Sequence, residues 1–259
     1  MLGKSLITAA VAAVTLTIVS STSGFDLSRK PDSLVYKNQP TGITGINPTD
    51  FSPEELRELQ RRFGVHGPQT PIAQLFTKGV DQLEPLRAQT LSKLEQLEPI
   101  IHRECRRQHV NPMLVTAILF DEIQHSKPGE GFPLIAHSGL VKTHGLAQIG
   151  ISELIHQNRL PQNPTKEDII WAREQLLDPA VNIELLAGKI RRLKQELGFP
   201  DDYVLIASRS YLEAKAIATL TYLHNGKLDY PARIMRYMQD PELHGLMYGD
   251  RIRGDSWMV

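Results

Sequence analysis

The sequence predicts an all-α fold, and three observations support this prediction. Signals for the start of a helix recur along the chain, as in Ser52-Pro53-Glu54-Glu55, Asn111-Pro112 and Asp178-Pro179. Between these signals, apolar residues return every three or four positions, which is typical of helices that pack on a core. The sequence contains no run of alternating polar and apolar residues, no internal repeat and no glycine-rich loop that would cradle a phosphate.

The composition limits the class of protein. The chain has 259 residues, which suffices for one domain or two small ones. Hydrophobic residues make up 41% and charged residues 22%, as in ordinary globular proteins. Lys and Arg together number 29, as do Asp and Glu, so the net charge of zero argues against nucleic acid as a partner. The single cysteine, Cys105, excludes an intramolecular disulfide and a cysteine-based metal site.

The N-terminal segment, residues 1–24, has the features of a signal peptide. Lys4 precedes an apolar stretch from Leu6 to Val19, and small residues follow up to Gly24. This stretch is short for a membrane span, and an uncleaved N-terminal anchor is the alternative interpretation. We therefore expect a protein that is secreted across the cytoplasmic membrane and acts in the periplasm or cell envelope. A lone cysteine in an exported protein is expected to be a buried, unreactive thiol.

The rest of the chain divides into regions of different character. Residues 25–51 are predicted to form an extended linker or strap, because proline and glycine are frequent there and periodicity is weak. Residues 52–104 are expected to form an N-terminal helical region, 105–245 a second helical domain and 246–259 a C-terminal tail. The predicted helices cover residues 52–63, 71–109 with a break or kink at Pro99, 111–126, 165–176, 179–198, 210–225 and a short segment from about 231, and a long loop covers 127–144.

An acidic residue falls within the apolar face of the predicted helix 112–126. At about 100° per residue, Glu122 lies in the middle of the apolar stripe between Leu114 and Leu119. Asp121 lies at the edge of this stripe. Burial of an unpaired carboxylate is unfavourable, and desolvation favours the protonated form. A carboxylic acid that keeps its proton near neutral pH is the general acid that cleavage of a glycosidic bond requires. The alternative is a structural Glu122 that pairs with a buried Arg, Lys or Tyr.

Two later stretches could complete a site around this acid. In the helix 210–225, Tyr222 and Asn225 end a stripe whose alanines would let another helix approach closely. They would present a hydroxyl and an amide there, although a core helix with a hydrogen-bonded Tyr is an equal alternative. The second stretch, Gly145 to Ile149, ends the long loop and is expected to begin a helix. Its Gln148 offers both a donor and an acceptor.

These motifs, in this order, resemble the lytic transglycosylase and goose-type lysozyme superfamily. The resemblance covers about residues 105–240 and departs from the family pattern at Ile123, where a Ser is usual, and at Leu223 and His224, which separate Tyr222 from Asn225. The motifs are "NPMLVTAILFDE" ending at Glu122, Ser138 in the next loop, "GLAQIG" from Gly145, "DPAVNIELLAGKIRRL" from Asp178 and "TYLHNG" ending at Gly226.

The resemblance implies a lysozyme-like catalytic domain over 105–245 and a function. Glu122 would protonate the glycosidic oxygen between N-acetylmuramic acid and N-acetylglucosamine in peptidoglycan. It would then act as a base on the 6-hydroxyl, which closes a 1,6-anhydro ring; a hydrolytic muramidase is the near variant. Tyr222 would orient Glu122 by a hydrogen bond, and Ser138, Gln148 and Asn225 would line the sugar sites. Asn182 would have a structural role. The implied partner is the glycan strand, with cell-envelope or secretion-apparatus proteins as further candidates, and no cofactor or metal is implied.

Two alternatives come from other classes of protein. One is a non-catalytic cell-wall-binding or assembly protein that retains the lysozyme-like fold. The other is a di-metal carboxylate protein, which the pairs Glu122-x-x-His125 and Glu153-x-x-His156 suggest. The basic run from Lys189 to Lys194 is expected to lie mostly on a solvated helix face.

Overall fold

The computed structural model describes residues 47–64, 84–126 and 143–249, which all belong to one compact unit. This part of the chain is mostly helical, so the predicted all-α class is confirmed. The predicted signal peptide, most of the predicted strap, Ser138 and residues 250–259 lie outside the described residues. Within the described residues, no helix has the length and apolar character needed to cross a membrane.

The described helices and strands follow one another as a helical array with one small hairpin. They are α1 (Pro53–Phe63), α2 (Glu84–Gln108), α3 (Pro112–Gln124), β1 (Thr143–His144), β2 (Ile149–Gly150), α4 (Ile151–His156), α5 (Lys166–Leu177), α6 (Pro179–Glu196), α7 (Tyr211–Asn225), α8 (Tyr230–Tyr237) and α9 (Pro241–Tyr248).

Side-chain caps set the helix starts as the sequence predicts. The Ser52 hydroxyl accepts from the Glu55 amide while the Glu55 carboxylate accepts from the Ser52 amide, which completes a capping box. Asn111 and Asp178 cap α3 and α6, and each is followed by a proline at the first helical position. The Thr165 side chain likewise caps α5. Local chemistry alone therefore defines the starts of these helices.

Three details differ from the sequence prediction. Helix α2 continues through Pro99 without a break, and α9 follows the last helix that the sequence predicts. The Gly145 stretch was expected to open a helix, but it forms the turn of an antiparallel hairpin in which His144 pairs with Ile149. Strands of two residues are too short to leave an alternating pattern in the sequence.

Helix α3 lies at the centre of the core. Its side chains from Met113 to Asp121 are all buried, and α2, α8 and α9 pack against it. Helix α6 packs against α2, α5 and α7. Cys105 is buried within α2, and burial, together with the charge of Glu104, raises the pKa of its thiol, as expected for an unreactive cysteine.

The basic run of α6 is not a solvated face, which corrects the sequence prediction. Lys194 is buried and donates to three backbone carbonyls, those of His109, Asp201 and Tyr203. Arg192 pairs with the buried Glu153 at 2.8 Å. All of these partners lie outside α6, so the helical periodicity of α6 alone could not reveal them.

The hairpin is fixed to α6 by Asn182, as the resemblance implies. The buried Asn182 amide donates to the carbonyls of His144 (3.0 Å) and Leu176 (2.9 Å), and its Oδ1 accepts from the Ala147 amide (2.7 Å). Gly145 adopts a left-handed conformation with φ of +73° directly against this side chain.

Gly145→Ala should therefore destabilise the protein strongly. A Cβ there would meet Leu176 O at 2.1 Å and Asn182 Nδ2 at 2.4 Å. Left-handed backbone costs an alanine about 1–2 kcal/mol, and we expect about 2 kcal/mol more from overpacking. Gly64→Ala is the matched control, because Gly64 has a φ of +63° and no atom within 4 Å of a Cβ. Urea unfolding of both variants measures the difference, and equal losses would contradict the close packing at Gly145.

Candidate active site

The Glu122 carboxylate lies at the C-terminal end of α3, where three side chains converge on one of its oxygens. The Tyr230 hydroxyl donates to Oε1 at 2.9 Å and the Asn225 amide donates to it at 3.3 Å. His224 Nε2 lies 3.6 Å from the same oxygen. The Glu122 side chain is 12% exposed, so it sits at the edge of the interior rather than within it. These contacts all use Oε1, and no residue in the described part of the chain donates a hydrogen bond to Oε2.

Tyr230 is a hydrogen-bond donor that keeps its proton. It is fully buried at the start of α8. Burial, together with the charges of Glu122 and Asp121, raises its pKa well above the ordinary value for tyrosine. The Arg233 guanidinium lies over its ring at 5.3 Å. The ring is therefore held in place while the hydroxyl points at Glu122.

Asp121, and not Glu122, is the deeply buried carboxylate of α3. Asp121 accepts from Arg233 at 2.5 and 3.1 Å, and its Oδ1 lies 3.2 Å from His125 Nδ1. The helical stripe placed Glu122 at the centre of the apolar face, but α3 is buried all round, so the stripe does not distinguish the two residues. The buried ion pair with an arginine is made by Asp121, whereas Glu122 pairs with a buried tyrosine, Tyr230, as the structural alternative also allowed.

His224 links the carboxylate to a lysine. Its side chain is 3% exposed, and burial and the nearby Lys189 lower its pKa. Lys189 Nζ lies 3.4 Å from His224 Nδ1 and donates to the His224 carbonyl at 3.1 Å. His224 is one of the two residues that separate Tyr222 from Asn225 and depart from the family pattern. It thus lies close to Glu122, the candidate acid.

Tyr222 does not make the predicted hydrogen bond to Glu122. It is buried on another side of α7, where its ring packs on Phe51 with centroids 5.4 Å apart and its hydroxyl has no hydrogen-bond partner among the described residues. Leu223 and His224 extend the helix by two residues before Asn225, which moves Tyr222 away from the helix end. Tyr230, from the next helix, occupies the role expected of Tyr222.

The other predicted site residues fall into three groups. Asn225 contacts Glu122 as described above. Gln148 lies in the hairpin turn, where its Oε1 accepts from the Thr143 hydroxyl at 2.6 Å, and the structure gives it no contact with Glu122. Ser138 is among the residues that the structure does not describe.

The predicted di-metal pairs do not assemble in the described part of the chain. Glu153 is engaged by Arg192 and by Gln157, and His125 Nδ1 faces Asp121. Among residues 47–64, 84–126 and 143–249, no group of three or more His, Cys, Asp or Glu side chains could hold a metal ion. Glu153 is instead used in an ion pair with Arg192.

Sequence reasoning missed Tyr230, His224 and Lys189. No local pattern distinguishes these residues from core residues, since Tyr230 and His224 reach Glu122, and Lys189 reaches His224, through tertiary packing of different helices. Comparison with known proteins gives no match to a family model, to a curated protein or to a solved structure. The candidate active site is therefore defined by the geometry of its own residues.

Proposed function

We propose that this protein cleaves the glycosidic bond between N-acetylmuramic acid and N-acetylglucosamine in peptidoglycan, without water, and leaves a 1,6-anhydro end. The observation that supports this proposal best is the convergence of Tyr230, Asn225 and His224 on Oε1 of Glu122. A carboxyl group held in this way has one oxygen fixed and the other available for proton transfer.

In the first step, Glu122 acts as the general acid. Its Oε2–H transfers the proton to the glycosidic oxygen while the bond to the anomeric carbon of the muramic acid breaks. Oε1 accepts the hydrogen bonds of Tyr230 and Asn225 in both protonation states, so the carboxylate that forms keeps its orientation. The departing N-acetylglucosamine carries the proton as a new hydroxyl.

In the second step, the same carboxylate acts as the base. Oε2 removes the proton from the 6-hydroxyl of the muramic acid, and that oxygen bonds to the anomeric carbon, which closes the 1,6-anhydro ring. Glu122 thereby regains its proton, and no water is consumed. One carboxyl group suffices for both steps because it meets the leaving group and the 6-hydroxyl in turn.

The state of Asp121 favours this scheme over one with two carboxylates. Glycoside hydrolases usually need a second carboxylate as a nucleophile or a base. Asp121 is the neighbour of Glu122 in the chain, but it is buried against Arg233. A muramidase would instead require a water molecule that is activated at the anomeric carbon. The products distinguish the two reactions, because a muramidase leaves a reducing end and the proposed reaction leaves a 1,6-anhydro end.

The proposal extends to the fold and the place of action. The buried helix ending in Glu122, the hairpin tied to α6 by Asn182 and the end of α7 occur in the order that the resemblance implies. We propose on this basis a lysozyme-like arrangement over the described part of residues 105–245. The N-terminal segment supports export to the periplasm or cell envelope, where peptidoglycan strands would be the partner.

Tyr230→Phe should lower activity about 10- to 100-fold while the protein stays folded. The substitution keeps the ring and removes the donor to Glu122, and a hydrogen bond to a charged group is worth about 1.5–3 kcal/mol. Tyr222→Phe is the matched control and should leave activity near that of the wild type, because its hydroxyl does not contact Glu122. The rate of muropeptide release is measured for both variants. A larger loss in Tyr222→Phe than in Tyr230→Phe would mean that Tyr222 is the residue that orients Glu122.

The experiment that tests the proposed function is mass spectrometry of muropeptides released from purified peptidoglycan by the mature protein. Anhydro-muropeptides are the expected products. Products with reducing ends would instead show a muramidase. If nothing is released while the protein co-sediments with peptidoglycan, the catalytic proposal is wrong and the non-catalytic wall-binding alternative holds.

A further inference from the structure

Lys189 of α6 occupies an unusual position for a lysine. Its ammonium nitrogen is held between the carbonyl oxygen of His224 at 3.1 Å and Nδ1 of the same residue at 3.4 Å. Burial lowers the pKa of Lys189, and the charge of Arg192 acts in the same direction, whereas Glu153 and Glu122 oppose this shift. Lys189 makes its described hydrogen bonds with the one residue that separates it from Glu122.

The position of Lys189 determines which nitrogen of His224 carries the proton. An ammonium group can only donate, so Nδ1 must accept. The proton of the neutral ring is then on Nε2, the nitrogen that faces Oε1 of Glu122 at 3.6 Å. Lys189 thus selects the tautomer that donates toward Glu122.

We propose that Lys189 is a positioning residue for Glu122, which acts by holding His224 as a neutral ring whose Nε2–H points toward the carboxyl oxygen Oε1. This inference rests on the proposed function, because it assigns the role of Lys189 in the same site. Of the three residues involved, the resemblance implies a role for Glu122 and for neither Lys189 nor His224.

The charges around His224 act in opposite directions. Glu122 and Asp121 of α3 favour the imidazolium, whereas burial and the positive charge of Lys189 oppose it. Tyr230 of α8 faces the ring with centroids 6.0 Å apart and carries no charge. Behind Lys189, Glu153 and Arg192 form an ion pair at 2.8 Å. The positive charge of Lys189 therefore opposes the formation of a second positive charge on the His224 ring.

Protonation of His224 would impair the general acid. An imidazolium next to Oε1 would stabilise the carboxylate form of Glu122. The group would then be a poorer proton donor to the glycosidic oxygen. Without Lys189, His224 should take up a proton at a higher pH than in the wild type, so activity should be lost first on the acidic side of the pH profile.

The test compares Lys189→Met with Lys194→Met in the full mature protein. Lys194 is the matched control because it is a buried lysine on the same helix that bonds only backbone carbonyls away from the site. The titration of His224 is followed by NMR, with its resonance assigned from the spectrum of His224→Asn. We expect the midpoint to move to higher pH in Lys189→Met and to stay in place in Lys194→Met.

The same variants are then assayed for muropeptide release. In Lys189→Met, the ratio of the rates at about pH 5.5 and about pH 7.5 should fall about tenfold relative to the wild type. An unmoved midpoint in Lys189→Met, or an equal shift in both variants, would overturn the proposal. If the wild type releases nothing, the proposed function fails, but the titration still decides whether Lys189 controls His224.

A measurement on the wild type covers the case in which Lys189→Met does not fold. The ¹⁵N shifts of the His224 ring report which nitrogen is protonated. We expect a neutral ring with the proton on Nε2 at neutral pH. A proton on Nδ1, or an imidazolium at that pH, would overturn the proposal without any variant.

Discussion

Glu122→Gln is expected to lower the rate of anhydro-muropeptide formation by about a thousandfold or more. A positioned acid–base group typically contributes 10²- to 10⁴-fold to a rate, and here one carboxyl group is proposed to serve both proton transfers. The amide of Gln can still accept from Tyr230 and Asn225, so the site keeps its hydrogen bonds while it loses the transferable proton. Quantified product release over time measures the effect.

The controls for this prediction separate catalysis from folding. Glu54→Gln changes an exposed glutamate of α1 in the same chemical way and should leave the rate unchanged. Thermal unfolding of Glu122→Gln should remain close to that of the wild type, since Glu122 is at the edge of the interior. A folded Glu122→Gln variant that retains most of the activity would mean that another group transfers the proton.

Arg233→Met should destabilise the protein by about 3–5 kcal/mol, the usual effect of leaving a buried charge without its partner. The Arg233 side chain is 9% exposed and the Asp121 side chain 3%, and two hydrogen bonds join them. Denaturant unfolding at neutral pH measures the loss. The double variant Asp121→Leu, Arg233→Met should recover much of it, because neither partner then leaves the other's charge buried and unpaired. A loss within about 0.5 kcal/mol, as for a surface substitution, would contradict this account.

The stabilisation by this pair should also depend on pH. Burial alone would raise the pKa of Asp121, but the hydrogen bond with His125 and the charge and hydrogen bonds of Arg233 outweigh it and lower the pKa. A carboxyl group with a lowered pKa in the folded state stabilises the protein above its unfolded pKa of about 3.9. This contribution is lost as the pH falls through the folded value. The difference between the wild type and Arg233→Met should therefore shrink below about pH 4.

Most of the helices could be predicted from the sequence because local chemistry defines their starts, although α9 was missed despite its Asp240 cap. Ser52, Asn111, Thr165 and Asp178 cap helices through contacts within three residues, and such contacts are visible in a sequence. The hairpin around Gly145 was not predicted, since its strands are short and its register depends on Asn182.

The candidate site could be predicted only in part. Glu122 and Asn225 were found, and the structure brings them together. The apolar stripe of α3 does not by itself distinguish Glu122 from Asp121, because α3 is buried on all sides and Asp121 is the residue with the ion pair. Tyr230 and Lys189 act across helix interfaces, and the sequence contains no signal for contacts of that range.

The central claim is that Glu122 alone transfers both protons and that water takes no part. Digestion of purified peptidoglycan in ¹⁸O-labelled water, followed by mass spectrometry of the new muramic acid ends, tests it most directly. The account predicts anhydro ends without label from the wild type and none from Glu122→Gln. Reducing ends that carry ¹⁸O, or equal product from the Glu122→Gln variant, would contradict it.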